Sequence, residues 1–372
     1  MEKSKLRSQE WFRAPEYYAF ARRAYLRSEG FNADIFDGKP VIGICNSFSE
    51  LNHCNVHLRQ VAEAVKRGVW AAGGVPLEFP TISLGEVFMR PTTMLFRNLM
   101  AMDVEECIRA NPIDGVVLLC GCDKTTPAQL MGAASADVPA IMVPGGPMLS
   151  GQWRDQRVGS GTDTRKLYDR WRLGELNEEE MCEIEGCVAR SHGHCMVMGT
   201  ASTMTSLAEA LGMTLTGCAN IPAVDSRRLA IAESSGRRAV DLALEDVRPS
   251  RILTRQAFEN AITVDMAIGG STNAVVHLVA IAGRLGIDLR LEDFDRISRR
   301  TPFLVNVKPS GQYLMEDMFF AGGVPAVMRE ILALLHDECL TVTGRTVREN
   351  VGNALCHNRD VIRTTEQALN AE

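Results

Sequence analysis

The 372-residue chain has no dense run of lysine or arginine. With a formal charge of −6 and a pI near 5.8, it offers no electrostatic footprint for nucleic acid. Neither G-x-x-x-x-G-K-[ST] nor a G-x-G-x-x-G following a strand occurs, so the nucleotide-hydrolysing and dinucleotide-binding classes lack their phosphate cradles. The opening residues, MEKSKLRSQEWFRAPEYY, hold no apolar core with a small-residue cleavage site, so a secretory signal is not expected and the cytoplasm is the expected location. The long uncharged run MAIGGSTNAVVHLVAIAG (residues 266–283) carries Ser271, Thr272, Asn273 and His277 beside two glycines. It reads as a buried core helix entered through a polar turn, not as a membrane span. Internal repeats and low-complexity tracts are also missing. Small molecules are therefore the expected partners, with neither nucleic acid nor membrane.

What the chain has is apolar residues (46%), a moderate charged fraction (23%) and eleven cysteines. That composition suits a soluble globular protein with a large core, arranged as one big domain or two smaller ones. Without a secretion signal the cysteines are not expected to form a disulfide framework. Most read as small buried apolar residues, Cys107 and Cys339 among them.

Strand-like and helix-like segments alternate through the first half, the pattern of an α/β fold with a parallel sheet covered by helices. The expected strands are PVIGIC (40–45), VPLEF (75–79), GVVLLC (115–120) and PAIMVP (139–144). Between them Leu58, Val61, Val65 and Val69 recur at helical spacing, as do Leu95, Leu99 and Met102, and both sets are expected to face the core. An amphipathic segment, PEYYAFARRAYLRSEGF, precedes the first strand. Beyond residue 150 come Gly-rich turns and then helical stretches, expected at 178–190, 203–211, 226–247, 255–267, 272–285 and 325–336. The expected organisation is an N-terminal helical arm (1–35), an α/β domain (36–355) and the start of a linker (356–372).

In a parallel sheet, ligands gather outside the carboxyl ends of the strands. Cys54 (SELNHCNVHL) follows the first strand, Cys122 (CGCDKTTP) the third, and Cys195 (SHGHCMVMGTAST) sits between glycines in a later turn. Separations of 68 and 73 residues exclude a local finger or thiol pair, but a fold can assemble loop cysteines, and three thiolates can hold an iron–sulfur cluster with one iron open to substrate. Asp123 beside Cys122, and Glu86 after the second strand, are the oxygen ligands that Mg²⁺ takes. Lys124 reads either as a charge partner of Asp123 or as part of the metal site. GGSTNAVVHL (269–278) could bind an anion at a helix N-terminus, and capping by Ser271 or Thr272 accounts for it equally well. His192 and His194 read as solvated loop histidines before zinc ligands. A zinc or thiol-redox site from Cys120, Cys122, His194 and Cys195 stays open as a further alternative.

CDKTTPAQLMG resembles the first signature of the IlvD/Edd dehydratase family, the dihydroxy-acid and sugar-acid dehydratases. GKPVIGICNSFSELNHCNVHL, AAGGVPLEFPTIS, IMVPGGPMLSG, MGTASTMTSLAEALGM, IPAVDSRR, AIGGSTNAVVHLVAIA and YLMEDMFFAGGVPAV also resemble family segments, in family order, over roughly residues 6 to 355. The resemblance implies that Cys54, Cys122 and Cys195 hold a [2Fe-2S] cluster, or [4Fe-4S] in some members. It also implies that Glu86, Asp123 and a carbamylated Lys124 bind Mg²⁺ in a hydro-lyase acting on 2,3-dihydroxy acids. Glutamate in LGEVFMRPTTM, together with KLRSQEWF, is similar to the sugar-acid (arabonate, xylonate) branch. The alternatives are a dihydroxy-acid dehydratase of branched-chain amino-acid biosynthesis and a non-catalytic cluster-binding remnant. The family's β-rich C-terminal domain, with its second signature and base serine, has no counterpart here. The chain is thus expected to be a truncated product, or one half of a split enzyme, that turns over an aldonate poorly alone. Homo-oligomers, dimers or tetramers, are expected from the same resemblance, with a separate C-terminal half as a further partner.

Overall fold

A computed structural model describes residues 6–370. Four strands, β1 (Val41–Asn46), β2 (Val75–Pro80), β3 (Gly115–Cys120) and β4 (Ala140–Pro144), form one parallel sheet in the order β2-β1-β3-β4. Every residue of β1, β3 and β4 is buried, which is why these strands read as unbroken apolar runs with no alternation. The expected strands begin and end within one residue of the observed ones.

Seven helices surround this sheet and position the site: α1 (Leu58–Ala71), α2 (Arg97–Arg109), α3 (Thr125–Ala136), α4 (Thr200–Ala210), α5 (Ser226–Glu245), α6 (Arg255–Ile268) and α7 (Asn273–Arg284). α1 packs on α5, while α3 packs on both α2 and α7. The β1-to-β2 crossover runs one way along the sheet and the β3-to-β4 crossover the other, so right-handed connections put α1 and α3 on opposite faces. The order also reverses between β1 and β3, and at such a switch point the loops leaving the carboxyl edge diverge to opposite faces, where ligands gather in sheets of this kind.

Leu58, Val61, Val65 and Val69 are buried as expected. Leu95, Leu99 and Met102 are not: they are 69%, 52% and 49% exposed. α2 instead buries Met100, Ala101, Val104 and Ile108, because Gly132 of α3 lets Val104 and the Ala101 carbonyl approach closely. The uncharged run at 266–283 resolves into the end of α6, a turn at 269–272 and most of α7. No described helix is long and apolar enough to cross a membrane. A short hairpin, β5 (Gly151–Trp153) with β6 (Gln156–Val158), and a helix at Thr162–Arg172 occupy the stretch expected to be turns. Near the far end, Val361 and Ile362 are fully buried, and the backbone bonds Asn306 N to Val361 O (2.9 Å) and Arg363 N to Leu304 O (2.9 Å) tie that segment to the body.

Candidate functional site

Loops from β1, β2, β3 and β4 meet above the switch point. The loop after β1 carries Cys54, whose N–H donates to Asn52 Oδ1 at 3.2 Å. After β3 the chain runs Cys120-Gly121-Cys122. Glycine is required between the two cysteines, since a Cβ there would lie 2.8 Å from the Cys54 carbonyl oxygen and 2.9 Å from Asn55 Oδ1. Cys122 N then donates to Thr125 Oγ1 (3.0 Å) at the start of α3. The third cysteine arrives on a loop stitched to the others through backbone bonds, Gly193 N to His53 O (3.2 Å), His194 N to Gly146 O (3.0 Å) and Met148 N to His194 O (2.9 Å). Ser202 of α4 packs behind it, with its Oγ 2.8 Å from the Val197 carbonyl oxygen and 3.0 Å from that of Cys195.

Cys54 and Cys122 are buried, and Cys195 is partly exposed as a residue. All eleven cysteines are free thiols. A hydrogen bond between the Cys54 and Cys122 thiols divides their acidities: it raises Cys54 well above the ordinary range, with burial adding to the effect, and it lowers Cys122. Burial pushes Cys195 up to about 11, and the charge of Asp123 adds to that.

Glu86 sits in the loop after β2. Thr92 Oγ1 (2.6 Å), Thr93 N (2.9 Å) and the Thr93 hydroxyl all donate to its carboxylate. Burial alone would raise its pKa, but these bonds and Lys124 outweigh burial and hold it low. Lys124, only 3% exposed, places Nζ 3.8 Å from Glu86 Oε1 and 3.8 Å from Asp123 Oδ2. Burial raises Asp123, Glu86 adds to this, and Lys124 opposes both. The fold thus brings Glu86, Asp123 and Lys124 together beside the Cys122 thiol. Among the described residues, no three His, Cys, Asp or Glu side chains close on a single point as ligands of one ion would. The donor chemistry still suits the implied groups, since thiols that share several irons need not converge on one point, and two carboxylates joined by a lysine form a hard, anionic pair.

The histidines depart from expectation. His194 is fully buried, with Nδ1 3.2 Å from Ser202 Oγ, and burial drives its pKa down to about 3. His192 is partly buried and stacks on His57 at 4.5 Å. The GGSTN turn binds its neighbour helix: Ser271 N donates to Thr203 Oγ1 (3.0 Å) and Asn273 Nδ2 to Thr200 Oγ1 (3.0 Å). Thr272 makes no side-chain cap, and the Ser271 hydroxyl accepts from Asn273 N instead.

Two residues near the site carried no readable signal. His277 of α7 is buried, and Arg97 Nη1 lies 2.9 Å from its Nδ1. Arginine only donates, so Nδ1 accepts and the neutral ring carries its proton on Nε2, which has no partner. Burial, then Arg97 and Lys124, push this imidazole down to about 3. Arg228 of α5 is fully buried and donates to the carbonyls of Cys218 (2.9 Å) and Ile221 (2.5 Å). It thereby fixes the 218–223 turn against Gly146, where Ala223 N donates to Pro147 O at 2.9 Å.

Residues 39–350 match the family model described as the dihydroxy-acid/6-phosphogluconate dehydratase N-terminal region. The chain belongs to this family. It is 54% identical to an L-arabinonate dehydratase of Rhizobium leguminosarum over 98% of its own length and 63% of that protein's. With a 6-deoxy-6-sulfo-D-gluconate dehydratase of Pseudomonas putida the identity is 51%, over 98% and 63% of the two chains. A D-xylonate dehydratase of Caulobacter vibrioides is 44% identical, over 96% and 61%. The chain of this family member therefore spans a little under two thirds of the relatives it matches.

Proposed function

We propose that this chain provides the cluster- and magnesium-binding region of a hydro-lyase that converts an aldonate to its 2-keto-3-deoxy acid. The observation that supports this most is the meeting, at one sheet edge, of the Cys54–Cys122 thiol pair and Cys195 with the Glu86–Lys124–Asp123 group. Relatives named for arabinonate favour a sugar acid over a branched-chain precursor, since an L-arabinonate dehydratase is 54% identical while three dihydroxy-acid dehydratases are 42–44% identical. In the overall reaction a proton leaves C2, the C3–O bond breaks, water departs and the enol tautomerises to the ketone.

Cys54, Cys122 and Cys195 would hold the iron–sulfur cluster, and Glu86, Asp123 and Lys124 the Mg²⁺. When bound, the two would supply Lewis acidity to the departing hydroxyl and to the carboxylate where negative charge develops. The protein's own contribution is spacing. Cys122 and Asp123 are consecutive, so one strand end fixes how far the thiol site lies from the carboxylate site. Thr92 and Thr93 hold the Glu86 carboxylate low in pKa and orient it within its own loop. Lys124 relieves the repulsion between the two carboxylates. Conversion of its amine to a carbamate, as the family resemblance implies, would replace that cation with a third oxygen ligand.

Anaerobic purification followed by iron, sulfide and zinc analysis tests the site, and keto-acid formation from a panel of aldonates and 2,3-dihydroxyisovalerate tests the substrate. The chain is expected to be brown and to contain iron, and to form keto acid from aldonates only when the remaining region carried by its relatives is supplied alongside it. A colourless, zinc-containing chain would overturn the reading.

A further inference from the structure

The loops after β1 and β2 are joined by buried amides that belong to neither ligand set. Asn52 and Asn55 flank Cys54, and both are fully buried. Ser47 spends its one hydroxyl proton on the Leu119 carbonyl at 2.8 Å, so toward Asn55 Nδ2, 3.2 Å away, it can only accept. This fixes the orientation of the Asn55 amide. Its second Nδ2 proton goes to Ser83 Oγ at 2.9 Å, and Oδ1 is left without a partner beside Gly121. Ser83 also accepts from Asn52 Nδ2 at 3.3 Å, and the Oδ1 of that same asparagine receives the Cys54 N–H.

One buried network thus runs from the Cys54 backbone to Ser83, with only Leu84 and Gly85 between Ser83 and Glu86. Upstream, Asp103 accepts from Thr81 Oγ1 (2.6 Å) and Ile82 N (3.2 Å), so the base of the loop is pinned and Ser83 is its last tie before the carboxylate. We propose that Asn55, acting with Asn52 and Ser83, is a positioning residue that couples the thiol site to the carboxylate site, so that filling one raises the affinity of the other. This rests on the ligand assignments proposed above. The physical cause is shared order: a loop held still at Cys54 holds Ser83 still, and the cost of ordering Glu86 has then already been met when the second group binds. Linkage makes the effect reciprocal.

The test is Mn²⁺ binding, read by electron paramagnetic resonance, to the iron-loaded and iron-free forms of the 372-residue protein. Mn²⁺ is expected to bind about tenfold more tightly to the iron-loaded wild type, in the ordinary range of coupling between sites. Ser83→Ala and Asn55→Ala retain every proposed ligand, and each is expected to shrink that ratio below about twofold while Ser83→Ala keeps the visible iron–sulfur absorption. If Asn55→Ala fails to fold, Ser83→Ala decides. A wild type that binds both metals with no mutual effect, or a Ser83→Ala protein that keeps the full ratio, overturns the coupling alone. A wild type that takes up neither metal overturns the ligand assignment and the coupling with it.

Discussion

Individual residues divide into those whose chemistry shows in the sequence and those whose role comes only from what surrounds them. Gly121 belongs to the second group. Its alanine variant would put a Cβ against the Cys54 carbonyl and Asn55, and overpacking of this kind costs about 1–3 kcal/mol. Gly121→Ala is expected to fold but to lose most of its iron on anaerobic purification, and a normal iron content would show that the two loops need not approach so closely. Asp265 makes a different prediction. It is buried, its Oδ1 has no partner, and burial raises its pKa to about 7. The native state therefore holds a proton that the unfolded chain releases near the ordinary carboxylate value, so stability is lost as pH rises from about 4 to about 7, by at most about 4 kcal/mol. Asp265→Asn is expected to be less pH-dependent, with its advantage over the wild type growing between pH 5 and 8 in urea titrations. Parallel curves for the two proteins would contradict that. Cys54, Cys122 and Glu86 stood out in the sequence because they follow strand ends, and Cys195 because glycines surround it. Asn55, His277 and Arg228 did not, because an asparagine in a loop or a basic residue on a helix looks ordinary until its partners are placed.

Helices and strands were read well where one force dominates. Fully buried strands must be apolar, and β1 to β4 follow. α2 was misread because its apolar residues occupy two faces, and spacing alone does not say which face meets α3. The contact between α1 and α5 shows how little of helix packing is written in propensity. A Cβ on Gly68 would stand 1.9 Å from the Glu233 carbonyl oxygen, and one on Gly236 would stand 2.3 Å from that of Val65. In an isolated helix, glycine to alanine gains about 1 kcal/mol. Here the backbones touch and cannot yield as a flexible side chain would, so the clash decides the sign. Gly236→Ala is expected to lower stability by about 2–3 kcal/mol in urea unfolding, and a stabilised variant would mean that α1 and α5 can move apart freely.

At the scale of the whole molecule, the parallel sheet sets the site at its carboxyl edge, and the later helices close around it. The sequence pattern thins after residue 341, which suggests a domain boundary near 355 with a linker beginning at 356. Packing argues that the segment beyond has a structural task. Val361 and Ile362 are both 0% exposed, and the segment bonds to Leu304 and Asn306 and, through Leu369 N, to the Phe303 carbonyl at 2.8 Å. Fully burying an aliphatic side chain is worth about 1.5–3 kcal/mol, and removal would also uncover the apolar surface that the two residues cover. A chain ending at residue 355 is therefore expected to unfold at a lower urea concentration than the 372-residue chain, with a loss of about 3–6 kcal/mol from these two side chains. A linker would make no such difference, so identical midpoints for the two lengths would place the boundary at 355 and leave the burial of Val361 and Ile362 without consequence for the fold.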